Sequence, residues 1–382
     1  MPWFLLVFIG VYSLVNLYVI LWFWRILRGS WLIRPALCLA MLALAASFPC
    51  LYWSSGASAG EVVLLRLGSV WAGSLCYLLL LALPDELLRL LVRLLRGPGG
   101  RQTPRPRYAA CFGSLGLVIL VAAAGWLNAA VPALRKETIS IHSGQPHEPI
   151  TIAALSDIHL GRIITCDRLT RALNLLQDSR PDAIFFLGDT LDDHILLDRE
   201  AIAASIARFQ PPLGIWGIAG NHEYFSGEIA ESLEILEQSH IRVLRDEWVA
   251  LEDLLLLVGR DDYSRARITG SHRKSLEEIL ADVPPAYRHL PVLVLDHQPH
   301  RLEEAEKAGV ALQISGHTHN AQLWPFNLIL GFLYENPLGW SQRGATRYYV
   351  SVGTGTWGPP LRNTARPEVL LLRIEFEPAK GM

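Results

Sequence analysis

Two patterns of apolar residues divide this chain. Up to about residue 134 the apolar positions run almost without interruption, whereas from residue 150 they fall into short runs separated by amphipathic stretches. Four segments of the first kind, 3–24, 32–53, 62–83 and 108–131, approach the roughly 20 helical residues needed to cross a hydrocarbon core of about 30 Å. Tryptophans 22, 24, 31 and 53 stand at segment ends, where an indole ring suits the headgroup level. In the second region the runs 150–155, 183–187, 214–219, 291–295 and 310–314 read as buried strands. The stretches 167–177, 200–208, 228–238 and 300–307 read as the helices between them. This alternation predicts an α/β core. The expected domains are a four-span membrane region over 1–134, a linker over 135–149 and a globular domain over 150–382.

Charge sharpens the division. Residues 1–134 hold ten arginines, no lysine and three acids, a formal +7; the whole chain is −2, which leaves −9 for the remainder. Nine of those arginines fall in the connections between spans one and two and between spans three and four. The connection between spans two and three has none. The excess of basic residues places the arginine-bearing loops in the cytoplasm and the globular domain outside it, in a bacterial inner or plasma membrane. Residues 97–107, rich in proline and glycine, read as a cytoplasmic linker. Of five cysteines only Cys166 lies in the globular part, so that part has no internal disulfide.

In open α/β sheets, binding sites form at the C-terminal ends of strands, and each of the five expected strands ends in polar chemistry. The first runs into Asp157-Ile158-His159, the second into Gly188-Asp189-Thr190-Leu191-Asp192 and the third into Gly220-Asn221-His222-Glu223. The fourth ends in Asp296-His297 and the fifth in Gly316-His317-Thr318-His319. Any one of these triplets arises by chance; five in order, each at a strand end, do not.

The order D-x-H, G-D-x-x-D, G-N-H-[DE], His and G-H-x-H resembles the calcineurin-like metallophosphoesterase superfamily over residues 150–375. The tracts 348–355 (YYVSVGTG) and 359–368 (PPLRNTARPE) resemble its bacterial membrane-associated branch, and the four spans are similar to transmembrane proteins bearing this domain. One departure is Asn320-Ala321-Gln322, where many relatives have two glycines. The resemblance implies a four-layer α-β-β-α sandwich preceded by four transmembrane helices.

It also implies two divalent ions, one held by Asp157, His159, Asp189 and His319, the other by Asp189, Asn221, His297 and His317. Imidazole and oxygen donors suit manganese, iron or zinc, with manganese the expected metal. The implied chemistry is attack of metal-bound hydroxide on phosphorus. His222 would hydrogen-bond a phosphoryl oxygen or protonate the leaving group, and Asp192 would orient it. His194 reads as a substrate contact or a structural residue. Arg362 reads as a phosphate clamp or the partner of Glu368 on the surface. The run 353–358 spells G-x-G-x-x-G, but Pro359-Pro360 follows where a nucleotide fold needs a helix.

The expected function is therefore hydrolysis of a phosphate ester of a lipid or lipid-linked substrate at the membrane surface, with no nucleic acid partner. Two alternatives stand beside it: a cytoplasm-facing hydrolase of a nucleotide-diphosphate-activated lipid precursor, and a non-catalytic metal-binding sensor. A twelve-residue uncharged run, 323–334, is too short to cross a bilayer. It reads either as packing on the sheet or the spans, or as dipping into a leaflet.

Overall fold

In a computed structural model, residues 2–27, 31–55, 58–96, 108–194, 197–225 and 229–378 are described. The chain divides into two compact units, Met1–Leu127 with Gly358–Leu361, and Asn128–Trp357 with Arg362–Met382.

The first unit contains helices α1 (Pro2–Ile26), α2 (Ile33–Tyr52), α3 (Ala59–Arg96) and α4 (Tyr108–Ala130). It packs around Phe23, Met41, Trp71, Leu78 and Val118. Its polar groups satisfy one another inside: the Trp71 indole donates to Asn16 Oδ1 at 2.8 Å, and the Trp22 indole to Asp85 Oδ2 at 3.0 Å. Large apolar side chains such as Leu17, Leu39 and Leu120 face outward, an arrangement suited to lipid rather than water. Among the described residues, three helices are long and apolar enough to cross a membrane: Leu6–Ile26, Ile33–Tyr52 and Tyr108–Ala130. The expected third span, 62–83, is instead the front of α3, which continues through Pro84 for another dozen helical residues bearing Asp85, Glu86, Arg89 and Arg93. An Arg89–Asp85 pair at 2.7 Å supports this charged extension. The expected linker 97–107 lies outside the described residues.

The second unit begins with β1 (Ala133–Ser143), an eleven-residue strand where the sequence suggested a linker. Its isoleucines alternate inward, and its whole length pairs in parallel with the last strand. The remaining strands are β2 (Ile150–Leu155), β3 (Ala183–Phe186), β4 (Ile215–Gly217), β5 (Arg242–Val243), β6 (Glu247–Leu251), β7 (Leu255–Gly259), β8 (Val292–Leu295), β9 (Leu312–Ser315), β10 (Gly339–Arg343), β11 (Thr346–Val350) and β12 (Glu368–Pro378). The helices are α5 (Cys166–Asn174), α6 (Arg199–Ala207), α7 (Asn221–Phe225), α8 (Ile229–Gln238), α9 (Ser264–Thr269), α10 (Leu276–Ala281) and α11 (Glu303–Lys307).

Two six-stranded sheets result, in the orders β1-β12-β2-β3-β4-β5 and β10-β11-β9-β8-β7-β6. In the first, β2 to β5 run parallel; in the second, β7, β8, β9 and β11 do. Strand alternation explains how they are covered. Ile152 and Ala154 of β2 meet Leu257 of β7 and Leu295 of β8 in one core. Ala153 and Leu155 point the other way, against Leu169 and Leu173 of α5 and Ile202 of α6. On the second sheet Val258 and Val294 pack on Ile279 of α10 and Ala305 of α11.

Phe185 lies in the core common to both sheets with no exposure. Phe185→Ala should therefore cost about 3–5 kcal/mol through lost contact and the cavity left behind, read as a lowered unfolding temperature of the detergent-solubilised chain.

Candidate metal centre

The loops leaving β2, β3, β4, β8 and β9 bring all the expected ligands to neighbouring strand ends. They form three clusters of potential ligand atoms: Asp157 with His159 and His319, His159 with Asp189 and His222, and Asp189 with His297 and His317. Nε2 of His159 lies 3.0 Å from Nε2 of His319, which is 3.5 Å from Asp157 Oδ1. Asp189 Oδ2 is 3.1 Å from His297 Nε2 and 3.9 Å from His159 Nε2, so it faces both groups.

The backbone is bent to allow this. Asp157, His159, Asp189, His317 and His319 all have φ between 49° and 71°. That left-handed region costs a non-glycine residue roughly 1–2 kcal/mol, and such strain gathers at functional sites. Two glycines let the loops close. A Cβ at Gly220 would strike the Asp189 side chain, and one at Gly316 would strike Ser156 and Asp157.

Hydrogen bonds hold the bent loops in place. The His317 N–H donates to both oxygens of Asp157 at 3.0 and 3.1 Å, and the Ser156 hydroxyl donates to Asp157 Oδ2. The His222 N–H donates to Asp189 Oδ1 at 2.8 Å. His297 Nδ1 lies 2.8 Å from the Leu187 carbonyl, which requires a proton on Nδ1 and leaves Nε2 free to bind a metal.

The donor set fits divalent cations. Asn221 Oδ1 is buried with no hydrogen-bond partner, and His297 Nε2 has only the Asp189 carboxylate beside it at 3.1 Å; unpaired buried polar atoms are costly. Asp157, Asp189, Asp192 and Glu223 are all nearly or wholly inaccessible to water. So many buried carboxylates need opposite charge nearby. Burial pushes Asp157 up, while it and the His297 charge push His317 down to about 3. Burial and the Arg362 charge likewise lower His319. Burial alone would lower His297, but the Asp189 carboxylate holds it well above the usual range, so His317 and His319 are the imidazoles already in the neutral ligand form.

His222 stands beside this group, its ring edge-on to His159 at 4.6 Å. Its Nδ1 lies 2.7 Å from Asp192 Oδ1. Burial alone would lower His222, but the Asp189 and Asp192 carboxylates outweigh it and raise the ring to about 9. Asp192 is thus placed to orient His222.

Both substrate candidates have protein partners. His194 has both ring nitrogens turned to α8, 3.0 Å from Ser232 Oγ and 3.0 Å from Glu231 Oε2. Arg362 is wholly buried rather than at the surface, its Nη2 2.8 Å from His319 Nδ1 and its Nε donating to the Gly355 carbonyl at 3.0 Å. Glu368 binds the hydroxyls of Tyr349 and Ser351 instead, both at 2.9 Å. Arg362 therefore supports a histidine; it is not an open clamp.

Residues 150–321 match the family model described as calcineurin-like phosphoesterase. An uncharacterized metallophosphoesterase of Aquifex aeolicus (strain VF5) is 31% identical over 261 residues, covering 68% of this chain and 98% of that one. The chain belongs to the calcineurin-like phosphoesterase family. A Danio rerio transmembrane protein with metallophosphoesterase domain is 31% identical over 58% of this chain, and an uncharacterized metallophosphoesterase of Helicobacter pylori (strain J99 / ATCC 700824) is 28% identical over 63%. This phosphoesterase chain spans 52% of the Danio rerio protein's length and 63% of the Helicobacter pylori one's.

Three features of the phosphoesterase unit escaped the sequence reading. Glu223, noted only as the end of a motif, accepts backbone N–H groups from Asp189 (3.0 Å), Thr190 (2.7 Å), Leu191 (3.0 Å) and Gly220 (2.7 Å). Arg273 grips Asp296, the residue before His297, through two bonds of 2.8 and 3.0 Å. Asp262, which follows β7, accepts from Gln298, the residue after His297. The apolar run 254–258 ending in Gly259-Arg260-Asp261-Asp262 carries the same strand-then-polar signal as the other five.

Glu223→Ala removes an acceptor that four buried N–H groups share. It should lower bound metal, measured by elemental analysis, and Glu223→Gln, which keeps one oxygen, should lower it less.

Proposed function

We propose that the chain is a metal-dependent hydrolase of a phosphate ester carried by a lipid or lipid-linked substrate at a membrane surface. The observation that supports it most directly is that Asp189 belongs to two of the three ligand clusters and His159 joins the third to them. Asp157, His159, Asp189 and His319 would hold one divalent ion, and Asp189, Asn221, His297 and His317 the other. Manganese, iron and zinc all suit imidazole and oxygen donors, and manganese is our reading. Two such ions supply Lewis-acid charge for phosphoryl oxygens and acidify a bound water.

The chain's own residues do the rest. Asp192 occupies Nδ1 of His222, which leaves Nε2 to hydrogen-bond a phosphoryl oxygen or to give a proton to the departing alkoxide. Trp357, whose ring meets His222 at 5.6 Å, and Phe225 at 5.9 Å restrict water around it. His319 is steadied from behind by Arg362. The packing of helices on both outer sheet faces supports a four-layer reading of this unit.

The membrane setting rests on the three apolar helices and on relatives named as transmembrane proteins. With the front of α3 as an additional span, both ends of the helical unit face the same side. The arginine distribution then places the phosphoesterase unit outside the cytoplasm.

Two substitutions test the assignment. Asp189→Asn should lose metal and phosphoesterase activity together, because one carboxylate faces both groups. A mutant with two ions per chain and normal turnover contradicts it. His222→Ala should retain both ions yet lose roughly 10²–10⁴-fold in turnover, the usual range for acid–base participation. Loss of metal in His222→Ala makes it a ligand instead.

A further inference from the structure

We infer that the uncharged run 323–334 is a membrane-docking element that enters the leaflet beside the metal centre and presents a lipid-borne phosphoester to it. This deepens the reading above and rests on its lipid substrate.

The 3-10 helix Phe326–Phe332 buries Leu330, leaves Asn327 half-buried and turns the rest outward. Leu330 is buried, whereas Trp324, Leu328, Ile329, Phe332 and Leu333 are exposed, Phe332 at 87% and Leu333 at 64%. Single exposed apolar side chains are ordinary, but a contiguous group marks a contact surface. Trp357, half exposed, extends it toward His222. The first charge after the run, Glu335, is bound by Arg343 at 2.6 and 2.7 Å.

The element is fastened to the site at both ends. At its start, Gln322 exchanges hydrogen bonds with the backbone of Trp357, at 3.1 and 3.0 Å. Beyond its end, the Thr318 hydroxyl, between two site histidines, donates to the Pro337 carbonyl at 2.8 Å. Tyr334 stacks on His300 at 4.8 Å and meets His317 at 6.1 Å. A headgroup entering beside the loop would therefore pass over Tyr334 to His317.

Lipid is the occupant the observations favour. The same chain carries three helices fit to cross a bilayer, so its phosphoesterase unit works next to one. The exposed residues form an outward turn with a tryptophan and phenylalanines, the composition of an interfacial insertion. Its one buried side chain anchors a turn that projects, rather than lining a groove for a peptide.

The test uses the full chain, with its native cysteines replaced, in vesicles of equal parts phosphatidylcholine and phosphatidylglycerol. An environment-sensitive fluorophore on Phe332→Cys should be quenched by phosphatidylcholine spin-labelled in the acyl chain. The same label on Glu277→Cys, an exposed position on α10, should not. Absence of quenching at 332 overturns docking, and a blue-shifted but unquenched label means a protein partner or second copy covers the turn. Leu328→Ser with Phe332→Ser and Leu333→Ser should cut hydrolysis of a fluorogenic phospholipid diester by about tenfold or more. Hydrolysis of bis(p-nitrophenyl) phosphate should stay within about twofold of the parent. Equal loss on both substrates overturns the delivery role. A parent enzyme that cleaves only the soluble ester refutes the lipid substrate, while quenching still decides the docking.

Discussion

Asp189 is the carboxylate on which the second unit converges. It leaves β3 of one sheet, and its Oδ2 lies 3.1 Å from Nε2 of His297, which leaves β8 of the other. Its Oδ1 is held by the backbone N–H of His222 at 2.8 Å. A carboxylate removed from water needs compensating charge, and the surrounding imidazoles supply only part of it when neutral. Asp157, Asp192 and Glu223 are buried alongside. The concentration of negative charge that would burden an ordinary core is what suits this one to divalent cations, and hence to a phosphate ester.

The same convergence strains the chain. Five of the seven expected ligands sit at left-handed φ, so several kcal/mol must be offset locally. Glu223 contributes by collecting N–H groups from the loops after β3 and β4. Asp157 receives the His317 N–H, tying the loop after β2 to that after β9. Arg362 braces His319 from the buried side. The strain is carried by bonds between loops of both sheets, which makes the site rigid before any substrate arrives.

The helical unit obeys the opposite rule of solvation. Its few polar groups, Asn16, Trp71, Trp22 and Asp85, find partners inside, while leucines cover its outside. In the phosphoesterase unit an apolar turn is left exposed where water would disfavour it. The first departure is what a lipid phase around the helices demands, and the second is the feature on which the proposed membrane docking rests.

The sequence by itself determined a good deal. Apolar periodicity located five strands and four helices within a few residues, because burial on both faces of a parallel sheet demands continuous apolar runs. The order of polar motifs at strand ends identified the family and the group of side chains that come together. Only the tertiary structure decided what depends on distant pairing. β1 looks like a linker because only three of its eleven residues are buried, and it becomes a strand through its partner β12. α3 runs past Pro84 because a charged, amphipathic extension keeps its helical bonds, and it stops at Arg96, where Gly97-Pro98 follows. The roles of Glu223, Arg273 and Asp262 are not local, since their partners lie up to 36 residues away. For Arg362 the sequence left a phosphate clamp and a surface pair both open, because composition reports the charge of a side chain but not its depth. Its burial behind His319 follows from the closing of a loop 43 residues downstream, which local sequence does not encode.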